Sequence, residues 1–334
     1  CMKVMILAAG LGKRLRPLTS IIPKSMVPIS NKPLLEHLIY YLKQAGFKEF
    51  VINLHHHPEI IKGYFQDGSA FGVKIDYSME KEILGTAGGI KAAEPFLKDD
   101  LFFVINSDIA FELDFANVIK FHKKNNALVT MVVREGKDVE KYGVIGLDSS
   151  CRVRRFLDLS DETRTETLKK TMFTGIALFD PSVLKEFPDQ GYCDVTKDIY
   201  PKLLTDDLPI FGYVTDKYWI DMGNPEKYLL LQKEIFSKKV FHNVSLDREE
   251  TNLQNRYSDV KIVPPVSFGE NLKIGKGSII GPYASIGNNC IIENGSILNN
   301  SILWDDIIIT ENSKIENSIV PNQMNMIRIQ KSGI

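Results

Sequence analysis

The chain has no apolar run long enough to span a bilayer. Its first hydrophobic stretch, residues 4–9, falls far short of the ~20 residues a membrane helix needs and runs straight into Gly10-Leu11-Gly12-Lys13-Arg14. It also lacks the cleavage region of a signal peptide, so a cytoplasmic protein without a membrane partner is expected. Cysteine is scarce: Cys1, Cys151, Cys193 and Cys290 are scattered, with no C-x-x-C pair and no matching histidine spacing. That argues against a zinc site and a disulfide framework, and a reducing compartment fits best. An excess of charge is missing too. Forty-one basic against 42 acidic residues leave −1, which argues against a nucleic-acid partner held by bulk electrostatics but not against a local basic pocket. The 44% hydrophobic and 25% charged residues exclude a disordered or fibrous chain. At 334 residues, two domains are expected.

What is present alternates at first between short apolar runs and amphipathic stretches. Residues 4–7 read as a buried strand, and residues 33–45 as a helix with Leu34, Leu35, Leu38, Ile39 and Leu42 on one face. Strands near 50–54, 73–78, 101–105 and 127–134 alternate with helices near 58–65, 86–96 and 114–125. Such alternation predicts βαβ units and a mostly parallel sheet. Residues 142–221 are richer in strands and read as an insertion that continues the same domain, with strands near 142–148, 151–157 and 172–179. A last helix near 225–237 has Asn224 as its N-cap.

Beyond a connector the pattern changes. Ile274, Ile280, Ile286, Ile292 and Leu298 recur every six residues, and Ile309 and Ile315 resume the series after a shift of register. Glycine and asparagine stand between them. A period of six with such turn residues predicts a parallel β-helix of about three coils. The expected domains are residues 1–237, a connector 238–262, the β-helix 263–321 and a tail 322–334.

The most informative segment is Leu7-Ala8-Ala9-Gly10-Leu11-Gly12-Lys13-Arg14-Leu15-Arg16-Pro17-Leu18-Thr19, followed by Pro23-Lys24. It leaves the end of the first strand, where open α/β sheets place ligands. Its glycines let backbone approach a phosphate, and Lys13, Arg14, Arg16 and Lys24 supply positive charge. It is neither a Walker loop nor a dinucleotide fingerprint: no Gly-Lys-Ser/Thr follows, and Leu15 stands where a third glycine is needed. A glycine-rich surface loop with solvated charges is the equally weighted alternative on composition alone.

The segment resembles the G-x-G-x-R-L-x-P-x-T signature of the sugar-1-phosphate nucleotidyltransferases, with its following P-K. Leu84-Gly85-Thr86-Ala87-Gly88 is similar to the family's nucleotide loop, and Ile105-Asn106-Ser107-Asp108 to its strand-end aspartate. Tyr142-Gly143-Val144 and Thr174-Gly175-Ile176 resemble two sugar-side turns, and Trp219-Ile220-Asp221-Met222-Gly223-Asn224-Pro225-Glu226 the W-x-D-[IM]-G-[TN]-P-E motif. In layout the chain is most similar to the mannose-1-phosphate guanylyltransferases. The resemblance implies an α/β fold with a Rossmann-like, mostly parallel sheet (the nucleotide-diphospho-sugar transferase fold), then a short left-handed β-helix of hexapeptide repeats. It also implies a homo-oligomer.

The implied reaction joins an NTP, GTP first, to a sugar-1-phosphate and releases pyrophosphate. The resemblance assigns catalysis to Arg14, Lys24, Asp108 and Asp221, with the two aspartates holding Mg2+. It assigns nucleotide binding to Ala8, Ala9, Gly10, Leu11, Gly12, Lys13, Glu80, Gly85, Thr86 and Ala87, and the sugar phosphate to Tyr142, Gly143, Asp158, Thr174 and Gly175. Glu80 and Glu82 suit the N1–H and N2–H donors of guanine. One departure stands out. The family's F-x-E-K-P is Phe156-Leu157-Asp158-Leu159-Ser160 here, and losing the lysine's charge-assisted contact costs roughly 1.5–3 kcal/mol. Arg154, Arg155, Lys169 and Lys170 are the candidates to replace it. His55-His56-His57 is not read as a metal cluster, because adjacent residues at a strand end point in different directions. Hexapeptide coils also occur in acyltransferases, but no histidine follows His242 to act as base, so the tail is read as an oligomer interface or a surface stabilising the catalytic domain. A dTDP- or UDP-glucose enzyme and a non-catalytic nucleotide-sugar sensor are the competing readings.

Overall fold

The computed structural model describes residues 2–157, 159–160, 167–241 and 257–329. They form two units, Cys1–Leu11 with Leu42–Trp219 and Gly12–Tyr41 with Ile220–Ile334. The boundary does not follow the chain: the loop after the first strand leaves one unit for the other at Gly12.

The first unit is built on a ten-stranded sheet. Its strands are β1 (Lys3–Leu7), β2 (Glu49–Leu54), β3 (Lys74–Met79), β4 (Phe102–Asn106), β5 (Val129–Arg134), β6 (Ile145–Leu147), β7 (Val153–Phe156), β8 (Leu159–Ser160), β9 (Lys169–Phe179) and β10 (Ile210–Val214). Strands β3, β2, β1 and β4 lie side by side and parallel. β1, β2 and β4 are mostly apolar, as expected of strands covered on both faces, with Val4, Met5 and Ile6 fully buried, whereas the edge strand β3 mixes Lys74, Asp76 and Ser78 with apolar residues. Beyond β4 the pairings are antiparallel except that β10 runs parallel to β5. The long strand β9 pairs with β4 and β5 through its C-terminal half and with β6 through its first residues, and β7 and β8 extend that side.

The differences from the expected elements have local causes. The single helix expected over 86–96 is broken into Gly85–Ala92 and Glu94–Leu97, because Pro95 has no N–H to continue the first. Tyr142 does not open a strand; it ends a helical turn, Val139–Tyr142. Thr174-Gly175-Ile176 is not a turn either. It lies inside β9, at a register shift between Phe173 and Ala177, the irregularity that re-aims side chains at sheet edges.

In the second unit, three 3₁₀ turns at Lys13–Leu15, Leu18–Ser20 and Lys24–Met26 lead to a two-stranded hairpin, Pro28–Ile29 with Lys32–Pro33. Helix Pro225–Phe236 starts as expected, with the Asn224 side chain accepting from Lys227 N at 2.9 Å. The period of six then becomes a parallel β-helix. Lys261–Ile262, Ile279–Ile280, the start of Ile297–Leu303 and the start of Lys314–Asn322 stack along one face. Lys273–Ile274, Ile291–Ile292 and Ile308–Ile309 stack on another. Each six-residue segment turns at a left-handed residue: Asn271, Gly277, Tyr283, Asn289, Gly295, Asn300, Asp306, Asn312 and Asn317. Asparagine and glycine accept that conformation most readily. Asn271, Asn289 and Asp306 also bond side chain to side chain up the stack. The expected register shift is real: Ile292 pairs with Ile309, one residue short of the spacing that pairs Ile274 with Ile292.

Residues 325–328, expected as tail, form a strand antiparallel to the last coil. Gln323 accepts from Ile308 N and donates to Ile308 O, both at 2.9 Å, which satisfies the backbone of Ile308 in the strand Ile308–Ile309.

Asn31 and Tyr228 are among the residues that seat the β-helix on the rest of its unit. Asn31, at the hairpin tip, donates to Ser267 Oγ (3.1 Å) and Ile286 O (2.9 Å) and accepts from Ser285 Oγ (2.7 Å). Buried Tyr228 donates to Pro28 O and accepts from Trp304 Nε1 at 3.2 Å. Among the described residues, no helix is long and apolar enough to cross a membrane.

Candidate active site

In the first unit, the ends of β1, β2 and β3 are tied by one buried network. Ala8 N donates to Asn53 Oδ1 (2.8 Å), Asn53 Nδ2 donates to Glu80 Oε1 (2.7 Å), and Leu84 N donates to Glu80 Oε2 (3.1 Å). Glu80 is only 4% exposed. The sequence presents it as a carboxylate open to a base; the structure uses both of its oxygens to hold the loop, leaving each one further acceptor position. Glu82 is exposed. Asn53 escapes sequence reasoning, although an amide one residue from the end of an otherwise apolar strand is its signal.

The glycine loop is pinned against residues 191–195. Gly85 has φ +75°, and a Cβ there would collide with Cys193 O, so glycine is required both by backbone and by space. Ala87 N and Gly88 N donate to Cys193 O at 3.0 and 3.1 Å. Thr86 Oγ1 donates to Asp194 Oδ2 (3.2 Å) and accepts from Val195 N (2.7 Å). The side chain of Thr86 therefore shapes the loop rather than facing a ligand. Burial, with Asp198 beside it, pushes the Cys193 thiol up, so Cys193 is a packing residue.

Asp108 lies half-buried in the turn directly after β4, and the neighbouring Ser107 N donates to Leu7 O at 3.3 Å. On the sugar side, Tyr142 meets Trp219 edge-on (centroids 5.3 Å apart), and both pack on Val139, Val144 and Met172. Trp219 Nε1 donates to Thr174 O at 2.8 Å. Thr174 itself is buried and gives its hydroxyl to Val132 O at 2.7 Å. The hydroxyl of Thr174 is thus turned inward, and its backbone carbonyl positions Trp219. Gly143 and Gly175 sit where a side chain would strike Leu157 and Asn106 respectively. Asp158 lies outside the described residues.

The four candidates to replace the family lysine are all engaged. Arg154 Nε pairs with Asp148 (2.8 Å), Arg155 Nε donates to Leu157 O (2.9 Å), Lys169 pairs with Glu135 (2.9 Å) and Lys170 with Glu140 (3.3 Å). The Arg154–Asp148 pair is the buried one. Burial pushes the Asp148 carboxyl up, but donation from Ser150, Arg154 and Arg152 outweighs it and holds Asp148 below its ordinary value.

In the second unit the basic loop takes shape around Gly12. This residue is left-handed (φ +59°), and a Cβ would stand 2.9 Å from Thr19 Cγ2 and 3.2 Å from Lys24 Cβ. Thr19 Oγ1 and Leu15 N both bond to Gly12 O at 2.9 Å. Lys13 and Arg14 are exposed and Lys24 half-buried, while Leu15 anchors the turn from inside. The amides of Gly10, Leu11 and Gly12 donate to no group among the described residues. Backbone N–H groups without an acceptor can receive an anion.

Asp221, 8% exposed, forms an ion pair with Lys227. A Cβ on Gly223 would stand 2.5 Å from Asp221 Oδ2 and 3.7 Å from an Arg14 Nη. Arg14 and Asp221 Oδ2 thus flank a position that has no side chain, while Lys227 holds the other oxygen of Asp221. Lys227 is missed by motif reasoning, which stops at Glu226. In the His55–His57 run, His55 bonds Glu80 O at 3.1 Å, while the His56 and His57 rings lie 4.2 Å apart and His57 faces Glu59 at 3.3 Å. Among the described residues no group of three or more His, Cys, Asp or Glu side chains is arranged to hold a metal.

Comparison with known proteins identifies the family. The family described as Nucleotidyl transferase matches residues 3–238, and the GMPPB C-terminal domain matches residues 262–331. A UTP–glucose-1-phosphate uridylyltransferase of Synechocystis sp. is 33% identical over 91% of this chain and 83% of its own. A probable mannose-1-phosphate guanylyltransferase 3 of Oryza sativa subsp. japonica is 33% identical over 96% and 86%. Among solved structures, HddC from Yersinia pseudotuberculosis superposes with a TM-score of 0.60 at 28% identity, covering 70% of this chain and 100% of that one. With its signature loop, strand-end aspartate and β-helix in the expected order, the chain belongs to the nucleotidyl transferase family, as a sugar-1-phosphate nucleotidyltransferase.

Proposed function

We propose that the chain joins GTP to a sugar-1-phosphate, mannose-1-phosphate first, releasing pyrophosphate and leaving a GDP-sugar. The observation that carries this reading is the meeting of Arg14 and Asp221, the latter paired with Lys227, at Gly223, in a chain whose Gly12 loop has backbone amides without an acceptor among the described residues. The attacking phosphate oxygen and the α-phosphorus it meets both belong to anions, so the protein has to screen repulsion and hold a line of attack. Arg14 offers a guanidinium fork to the triphosphate. Lys24 neutralises the phosphate charge between the substrates, and the Leu11 and Gly12 amides meet the leaving pyrophosphate. Ala8, Ala9 and the Gly85–Ala87 turn offer backbone to the base, with Glu80 holding the turn. Tyr142, Gly143 and Gly175 line the sugar side.

Nucleotidyltransferases typically use a divalent metal. An ammonium already rests on Asp221, so the charge there suits a cation. Mg2+ asks the protein for only one or two carboxylates, and Asp108 and Asp221 each offer one. When bound it screens the phosphate charge.

Guanine is favoured by the guanylyltransferase relatives, by the GMPPB C-terminal domain match and by HddC, which has been solved in complex with GMP-PN. The uridylyltransferase relative supports a second reading, UTP with glucose-1-phosphate. A cytoplasmic setting suits the three described cysteines, which carry no disulfide. A homo-oligomer would cover the exposed Ile308, Met324 and Met326 at one end of the β-helix; sedimentation of Met324→Lys tests that.

Pyrophosphate release over a grid of NTPs and sugar-1-phosphates, with Asp108→Asn as control, tests the reaction. Turnover with GTP and mannose-1-phosphate, lost in the control, is expected. Turnover only with UTP and glucose-1-phosphate replaces the substrates. Silence across the grid with GDP-sugar binding intact makes the chain a sensor.

A further inference from the structure

Lys227 stands at the third position of helix Pro225–Phe236. A cation there faces the positive end of the helix dipole and is disfavoured, so its placement needs a partner. Asp221 is that partner, with side-chain exposures of 12% for the aspartate and 22% for the lysine. The lysine backbone is fixed, because its amide donates to the Asn224 cap at 2.9 Å. Its four-carbon stem is not, since lysine carries a mobile point charge and this one is partly solvated. The ammonium can therefore leave Asp221 without any movement of the helix. Gly223 keeps the space beside Asp221 Oδ2 clear of side chain, and Arg14 brings a second positive group to the same place.

We propose that Lys227 is the resident counter-ion of Asp221, holding the carboxylate until a divalent cation replaces it. Metal binding is then an exchange of one cation for another, and the metal binds more weakly than Asp221 alone would allow. The inference rests on the reading of Asp221 as a metal ligand. It goes beyond that reading by making a residue outside the family motif set the affinity.

The test is Mn2+ binding to the full chain without substrates, with free Mn2+ counted by electron paramagnetic resonance. An opposite charge at this range changes a carboxylate's affinity for a proton by about one to three decades, and a metal competing for the same oxygens meets the same opposition. Lys227→Met is expected to bind Mn2+ about tenfold or more tighter, Lys227→Arg to stay near the wild type, and Asp221→Asn to lose the site. Equal affinity in Lys227→Met and wild type, with the site lost in Asp221→Asn, overturns the exchange and leaves the metal reading standing. Wild-type affinity in Asp221→Asn removes both. Lys227→Gln keeps a polar head group, for use if the methionine variant does not fold. A second readout needs no variant: Mg2+ should speed acetylation of Lys227 by an amine-reactive reagent, and an unchanged rate overturns the proposal.

Discussion

The sheet of the first unit and the β-helix of the second both use parallel pairings, yet the chain assembles them in opposite ways. In the β-helix, paired residues such as Ile280 and Leu298 follow each other closely, and each coil repeats the last. In the sheet, Val4 pairs with Phe103, and Ile105 with Ile176. Such long-range pairings leave no local rhythm. The difference bears on function, because an appended repeat would be free to act as an independent domain. This one is not separate: it shares a unit with the loop that carries Arg14 and Lys24 and with Asp221. Asn31 and the Pro28–Tyr228–Trp304 bridge make the physical link.

Four experiments break or sharpen that comparison. The largest effect is expected from Arg14→Ala. Losing one charge-stabilising donor lowers kcat by about 10²–10³, read as pyrophosphate release, and an unchanged melting curve places the loss in chemistry. Next is Ile286→Ala, a fully buried β-helix residue whose truncation costs about 2–5 kcal/mol. Because the unit is shared, activity and β-helix structure should be lost together in urea. An early β-helix transition that spares activity would make the tail an appendage after all.

Asn31→Ala should cost about 1–3 kcal/mol, since it strips partners from buried Ser285. The counterpart in the sheet unit is smaller and pH-dependent. His122 is 3% exposed, contacts Thr130 Oγ1 at 2.8 Å, and has its pKa pushed down to about 4 by burial, with Asp180 raising it and Lys123 lowering it. Between pH ~6.5 and ~4 the unfolded chain binds the proton and the folded chain does not. His122 thus contributes stability at neutral pH that is lost as pH falls through that window. His122→Gln should flatten the fall in melting temperature over this range and leave neutral activity unchanged.

How much could be read beforehand follows from the same contrast. The β-helix was legible almost residue by residue, because Ile274, Ile280, Ile286 and Ile292 each answer to one repeated environment. The parallel half of the sheet was legible as βαβ alternation. Its antiparallel half was not: β9 serves two sets of neighbours, and its irregularity at Gly175 looks like a turn in sequence. Among site residues, those that need a special backbone, Gly12 and Gly85, were plain. Those whose side chains have a choice of partners were not. Glu80 and Thr86 turn inward to Asn53 and Asp194, Thr174 to Val132, and Lys227 reaches Asp221 from outside every motif.

The sequence by itself determined the family, the order of elements, the period of the coils and the positions where only glycine or asparagine suits the turn. These depend on local conformational energy and on spacing, which are written residue by residue. Only the tertiary structure decided that the segment carrying Arg14 and Lys24 belongs to the same unit as the β-helix, and which polar side chains are consumed as internal braces. A hydrogen bond or ion pair is won by whichever partner lies within about 3 Å, and no pattern along the chain records which distant residue that will be.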